Sequence, residues 1–382
     1  MYFKSILGNE SLKQVFIKEI SEKKIPHAQL FAHPSGTSAL PMALAFSMYL
    51  LCQQKKNTDS CGQCTSCIKM LKLNHPDLHV FYPTATNVNH IKKSGSKETF
   101  SIFQKFLLKN PNMVPNDWSN HVGIKNNGEI RVSDARIINR LASLRSYEGK
   151  HKVFLIWQPE TMNNHTANKL LKNIEEPNKK TIFILITDKP HLLLPTIYSR
   201  LQIKKFTKIS QNKLINHLTV QNPKINKELI TNYVHNSECN YNLILKKISG
   251  ELVQSKMHDD FVNWIRLCFL GINKNSSHSL IEWCHNMAVC EKHIQLQFLE
   301  ISSSIFRYAF LLKYNTPMKL YPEIRHIDFN IVNFSQQLHE HNIIDICETL
   351  NEAYYALKRY ANAKILFLDL SFNLGQLLHK KN

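Results

Sequence analysis

Apolar Leu12, Val15, Phe16 and Ile20 recur at spacings of three and four within residues 10–24, the signature of one helix face. Residues 27–32 then form a short apolar run. It ends in a polar loop, His33-Pro34-Ser35-Gly36-Thr37-Ser38, before the apolar stretch Leu40 to Cys52, with Pro41 in its first turn. The order predicted is strand, loop, helix. Residues 80–82 suit a further strand, and residues 153–157 and 181–187 are continuous apolar runs of the kind that parallel strands buried on both faces show. Between those two lies a helical segment, Met162 to Ile174, which stops at Glu175-Glu176-Pro177 because the residue before proline disfavours helix. Strands alternating with helices predict an α/β domain over residues 1–206 with a mostly parallel sheet.

Residues 86–128 are rich in Asn, Lys, Ser and Gly and interrupt the alternation, so a mobile surface insertion is expected there. Beyond about residue 207 helical spacing takes over. Phe298, Ile301, Ile305, Phe306, Ala309 and Leu312 share one face, and the pattern returns from Ile343 to Leu378. A break near Gly250-Glu251-Leu252 predicts a small helical domain over 207–252 and a larger helical one over 256–382.

Charge changes this picture. The 48 Lys and Arg exceed the 29 Asp and Glu for a formal net charge of +19, and the excess is uneven. Residues 1–206 hold 29 against 14, or +15, and residues 207–382 hold 19 against 15, or +4. Such an imbalance favours a polyanionic partner, nucleic acid first, although a generally lysine-rich composition would give the same excess. The first residues lack a secretory pattern, and the apolar run Leu40 to Leu51 is too short to span a membrane. Four of the nine cysteines crowd into residues 52–67, unlike a disulfide framework, so a reducing cytoplasm is expected.

Cys52, Cys61, Cys64 and Cys67 make C-x8-C-x2-C-x2-C, and two-residue spacers let neighbouring sulfurs reach one tetrahedral ion. Gly62 supplies the bend, and Lys55, Lys56, Lys69 and Lys72 offset thiolate charge. Four sulfurs leave no position for water, so a structural zinc is expected over a catalytic one, with an iron–sulfur cluster or four unliganded thiols as the alternatives. The other five cysteines are scattered on helical segments and suit a core.

The loop at residues 33–38 stands where a G-x-x-x-x-G-K-[ST] phosphate loop would. With His33 on the first glycine, Ser38 falls on the second, Ala39 on the lysine and Leu40 on the magnesium-binding hydroxyl. Ser35, Gly36, Thr37, Ser38 and Ala39 are therefore expected to hold no nucleotide and to hydrolyse none. Nor does the strand at 153–157 end in an acidic pair, since it runs into Trp157-Gln158-Pro159 with Glu160 beyond it. Ser199-Arg200 follows Leu194 to Tyr198, and an arginine after such a turn is a surface charge unless a neighbour's nucleotide lies beside it.

Together these segments resemble the delta-prime subunits of the bacterial DNA polymerase III clamp loader, within the AAA+ superfamily. Ile25 to Phe31 is similar to the family's I-x-H-A-x-L-F, and the cysteine quartet followed by His75-Pro76-Asp77 resembles its zinc module. Ala167 to Pro177 is similar to A-N-x-L-L-K-x-L-E-E-P, and Leu194 to Arg200 resembles L-L-P-T-I-x-S-R-C with Leu201 in place of the cysteine. The resemblance implies an AAA+-like domain over 1–206 with an inserted zinc module at 52–67, an all-α lid at 207–252 and a helical collar at 256–382. It implies a non-catalytic subunit of a ring-like assembly that opens a sliding clamp and places it on primed DNA. Its partners would be the gamma/tau motor subunits and delta, in the bacterial cytoplasm at the replisome, with no membrane. Arg200, beside Ser199, would reach the ATP of the adjacent motor. Two alternatives remain: an active AAA+ ATPase, which the missing lysine disfavours, and a stand-alone zinc-containing nucleic-acid-binding protein, which would bind DNA strongly by itself.

Overall fold

The computed structural model describes the chain apart from residues 86, 89, 90, 93, 94, 125–127, 149, 179, 224, 250–253, 271–276, 315–328 and 381–382. It divides into two compact units, Met1–Leu245 and Lys246–Asn382. The break expected near Gly250-Glu251-Leu252 lies outside the described residues.

The first unit is built on a five-stranded sheet. Its strands are β1 (Ala28–Ala32), β2 (Leu78–Phe81), β3 (Lys152–Trp157), β4 (Thr181–Thr187) and β5 (Gln202–Lys205). The order is β2-β3-β4-β1-β5, and every pairing is parallel. All residues of β3 and β4 are buried, which is why they read as unbroken apolar runs. Alternation sorts them between two cores. Val153, Leu155, Ile182 and Ile184 face the helix Ala39–Leu51, whereas Phe154, Ile156, Phe183 and Leu185 join Ile138, Leu170 and Ile174 from the helices Val132–Ser143 and Asn164–Glu175. The sheet is thus covered on both faces. β1 pairs with β4 from Ala28↔Phe183 to Ala32↔Thr187, so the loop at 33–38 leaves from the carboxyl ends of the central strands, where open α/β sheets place their ligands.

The surface excursion that the composition of residues 86–128 suggests is not what their described helices form. Their described part forms the helices Phe100–Lys109 and Pro115–His121, and Phe103, Leu107 and Trp118 are buried in the same core as the helix Ala39–Leu51. Tyr82 stacks on Phe103 with centroids 3.6 Å apart, and the Trp118 indole N–H donates to the Pro83 carbonyl at 2.9 Å. A few large aromatics at helical spacing outweigh the polar residues around them.

The second unit is helical. Trp264, Phe298, Phe306 and Phe367 centre its core, and the Trp264 indole N–H donates to Ser371 Oγ at 2.8 Å. The apolar pattern from Ile343 to Leu378 proves to be two helices, Glu340–Lys358 and Ala363–His379. Tyr360 breaks it with φ 66°, and the Asn362 side chain accepts from the Lys364 and Ile365 N–H groups to start the next helix. Among the described residues, no helix is long and apolar enough to cross a membrane.

Candidate functional site

Two of the expected sites lie at opposite ends of one element. The helix Ala39–Leu51 is buried at every residue; Ala39 begins it, and Cys52 is the residue at its carboxyl cap.

At that cap the four cysteines converge. Their sulfurs lie within 4.8 Å of one another, with Cys52–Cys61 at 3.6 Å, Cys61–Cys67 at 3.8 Å and Cys52–Cys64 at 4.0 Å. A tetrahedral site with metal–sulfur bonds of about 2.3 Å has sulfur–sulfur edges of about 3.8 Å, so the quartet fits one ion. All four are free thiols. Gly62 turns the chain with φ +78°, and a Cβ there would stand 2.3 Å from the Tyr2 hydroxyl. The backbone points its N–H groups at the sulfurs: Cys61 to Cys52 Sγ at 3.4 Å, Cys64 to Cys61 Sγ at 3.3 Å and Cys67 to Cys64 Sγ at 3.4 Å. Burial works to raise the Cys61 thiol, but the N–H groups of Cys64 and Gln63 outweigh it and hold that thiol down to about 6. Burial, reinforced by the neighbouring thiols, pushes Cys67 up. The cluster thus sets one ready thiolate, Cys61, beside one reluctant thiol, Cys67. His75-Pro76-Asp77 anchors the module's far side. The Asp77 N–H donates to His75 Nδ1 at 3.1 Å, and its carboxylate accepts from the Tyr147 and Glu148 N–H groups at 2.6 and 2.8 Å.

At the amino end of the same helix lies the loop at 33–38, with Ala39 and Leu40 opening the helix behind it. Gly36 has φ +77°. The loop's polar groups turn inward: Thr37 donates through both its N–H and its hydroxyl to the Pro34 carbonyl, at 3.3 and 3.0 Å. His33 Nδ1 also lies 2.9 Å from that oxygen, and burial pushes its imidazole below the usual range. Ala39 is fully buried, and Leu40 and Trp157 line the cleft beside the loop. The remaining cavity is about 20 Å³, near the room one water needs. Glu160 is buried past the end of β3, and burial raises its carboxyl above the ordinary range.

Arg200 lies elsewhere and does not line this cleft. It follows the short helix Pro195–Tyr198, with Nε 3.0 Å from Glu175 Oε2 and Nη1 donating to the Thr196 carbonyl at 2.8 Å. Ser199 beside it is exposed, and its hydroxyl donates to the Thr196 carbonyl at 3.4 Å. Glu175 ends the helix Asn164–Glu175, whose Asn163 cap accepts from the Thr166 N–H at 2.9 Å. Two motifs apart in sequence thus meet in one ion pair. Leu201, the next residue, is buried.

A protein family described as "DNA polymerase III, delta subunit" matches residues 8–210, more than half of the chain. The chain belongs to this family. Among curated members it is 26% identical over 208 residues to DNA polymerase III subunit delta' of Bacillus subtilis, a match covering 54% of this chain and 50% of that one. It is 30% identical over 175 residues to the corresponding subunit of Yersinia pestis, covering 46% and 39%. The chain therefore spans half or less of the length of these relatives. A solved DNA polymerase III gamma subunit-related protein from Thermotoga maritima covers 96% of this chain and 99% of its own at 13% identity, with a TM-score of 0.36. The family match includes the cysteine cluster, the emptied loop and Arg200.

Sequence reasoning missed the residues that close the cleft. Met113, Val114 and Pro115 line it from the insertion, and Asn240 packs on Gly36 from 204 positions along the chain. No local pattern announces a contact between such distant segments.

Proposed function

We propose that this chain is a non-hydrolysing subunit of a DNA polymerase III clamp loader, which helps place the sliding clamp on primed DNA during replication. One observation carries the proposal: the family match runs through a strand-loop-helix whose helix begins with buried Ala39 where phosphate chemistry requires lysine. The chain itself then supplies no ATPase. Its partners are the gamma/tau motor subunits and delta, and DNA and clamp are reached through the assembly. The charge of +15 over residues 1–206 suits work beside nucleic acid.

Arg200, steadied by Ser199's turn, serves the ATP of the adjacent motor subunit. Its guanidinium stabilises the charge that builds on the transferring phosphoryl group. Glu175 and Thr196 hold the fork extended and half-exposed at the surface, and an exposed ion pair worth about 0–1 kcal/mol is readily exchanged for a phosphate. The four cysteines hold a structural zinc, which fixes the loop at 52–67 against the helix end. Residues 207–252 serve as lid and 256–382 as collar.

The test is ATP hydrolysis by the chain alone, by the motor subunits alone and by the mixture, each with wild type and Arg200→Ala. The chain alone is expected to be inert, and the mixture with Arg200→Ala to run slower by about a thousandfold. Turnover by the chain alone would restore the motor reading, and an unchanged mixture rate would remove Arg200 from the chemistry.

A further inference from the structure

In a nucleotide-binding α/β domain the ligand lies in the crevice at the carboxyl ends of the strands, with its phosphates on the amino end of the following helix. Here protein atoms line that crevice closely. Met113, Val114 and Pro115 line the cleft together with Ser35, Thr37 and Leu40, and about 20 Å³ remains between them. The same stretch is held at both ends. On one side Trp118 bonds the Pro83 carbonyl beyond β2 and sets its ring edge against Tyr82 and Phe103, with centroids at 5.3 and 5.0 Å. On the other, Asn242 Nδ2 donates to the Asn112 carbonyl at 2.8 Å and to Asp117 Oδ2 at 3.1 Å. Asp117 Oδ2 also accepts the Val114 N–H at 3.0 Å, so one carboxylate oxygen ties the occupant's turn to the covering helix. Asn242 lies in the helix Tyr241–Ser249 and is only 6% exposed.

That helix meets the loop directly as well. The Tyr241 N–H donates to the Gly36 carbonyl at 3.1 Å, and a Cβ on Gly36 would stand 1.9 Å from Asn240 Oδ1. Glycine is required there twice over, by its φ of +77° and by the amide against it. Asn242 spends its two donor hydrogens on the insertion while its Oδ1 is buried without a partner. An unpaired buried acceptor is kept only where the bonds beside it outweigh it.

We propose that residues 112–117 of the insertion are the resident ligand of this cleft, a peptide segment standing where a nucleotide would, and that Asn242 couples it to the helix Tyr241–Ser249. The covering helix is then fixed in one place whatever the nucleotide state of the assembly. This rests on the reading that the loop holds no nucleotide.

Hydrogen exchange of the full chain tests it, with and without MgATP, for wild type and Asn242→Leu. In the wild type, residues 110–121 and 241–249 are expected to exchange slowly and identically with and without MgATP. In Asn242→Leu both segments should speed up together by about tenfold, the loss expected for a buried hydrogen-bonded pair. Acceleration confined to 241–249 would overturn the coupling alone. Protection of the loop at 33–38 by MgATP in the wild type would overturn this proposal together with the nucleotide-free reading beneath it. Should Asn242→Leu fail to fold, Met113→Gly removes the occupant side chain instead and is judged by the same paired acceleration.

Discussion

The two ends of the helix Ala39–Leu51 carry opposite chemistry. At its amino end the chain runs strand, turn, helix, with Thr37 donating to the Pro34 carbonyl and Met113, Val114 and Pro115 lining the cleft. At its carboxyl end every donor of a four-sulfur site is present at ion-binding distance. Backbone geometry alone does not make a site. A helix amino terminus attracts anions by a modest partial charge, and a triphosphate is held where a lysine and a metal-binding hydroxyl add to it. The sulfurs at the other end need only an ion of the right size.

The contrast is broken most severely at the metal end. Cys64→Ser should lose stoichiometric zinc and lower Tm by about 10–20 °C, because structural zinc binding is folding free energy. Metal analysis and calorimetry check it, and a wild type that holds no metal when grown with zinc would end the claim. At the other end, Ala39→Lys should create no ATPase while destabilising the unit by about 2–4 kcal/mol, since the position is fully buried. Denaturant melts and a phosphate-release assay read both halves. A stable variant with turnover would mean that one side chain separates the two ends.

Within the cluster a gentler probe is alkylation after the metal is stripped. Below the Cys61 value of about 6 its thiol is protonated and unreactive, and above it the thiolate dominates. Cys61 should therefore react first with iodoacetamide at pH 7, losing about tenfold in rate per pH unit below 6, while buried Cys67 reacts last. Peptide mass spectrometry gives the order, and equal rates would contradict the split. The smallest effect is expected at Glu175→Gln, which should shift stability by less than about 1 kcal/mol and the assembled ATPase by less than about threefold. A large loss would make Glu175 part of the arginine's function instead of its parking place.

What could be read from the sequence follows the range of the interaction. The cysteine quartet and the missing lysine at Ala39 are local, and spacing alone disclosed both. β3 and β4 were legible because burial on both faces leaves no polar interruption. β5 was not, because Gln202-Ile203-Lys204-Lys205 is an edge strand, and its buried lysine is satisfied by an ion pair with Glu19 far back in the chain. The helix Val132–Ser143 was overlooked beside a stretch classed as insertion, although its Lys152 partner caps it by donating to the Leu141 and Leu144 carbonyls, both at 2.7 Å. The ion pair of Arg200 with Glu175 joins two recognisable motifs that the sequence offers no reason to pair.

The strand order has a consequence for the chain during its synthesis. β1 is made early but lies between β4 and β5, so neither partner exists until residues 181–187 and 202–205 have been added. At about 5–20 residues per second, that is a wait of roughly ten to thirty seconds on the ribosome. Throughout it the most apolar helix of the unit follows β1 with no sheet to cover it. The cysteine cluster closes entirely within residues 52–67, immediately behind that helix, so its four sulfurs can meet long before the sheet forms. An ion held by these sulfurs would act as an early clasp on the nascent chain, holding one end of a segment that would otherwise invite aggregation or a chaperone.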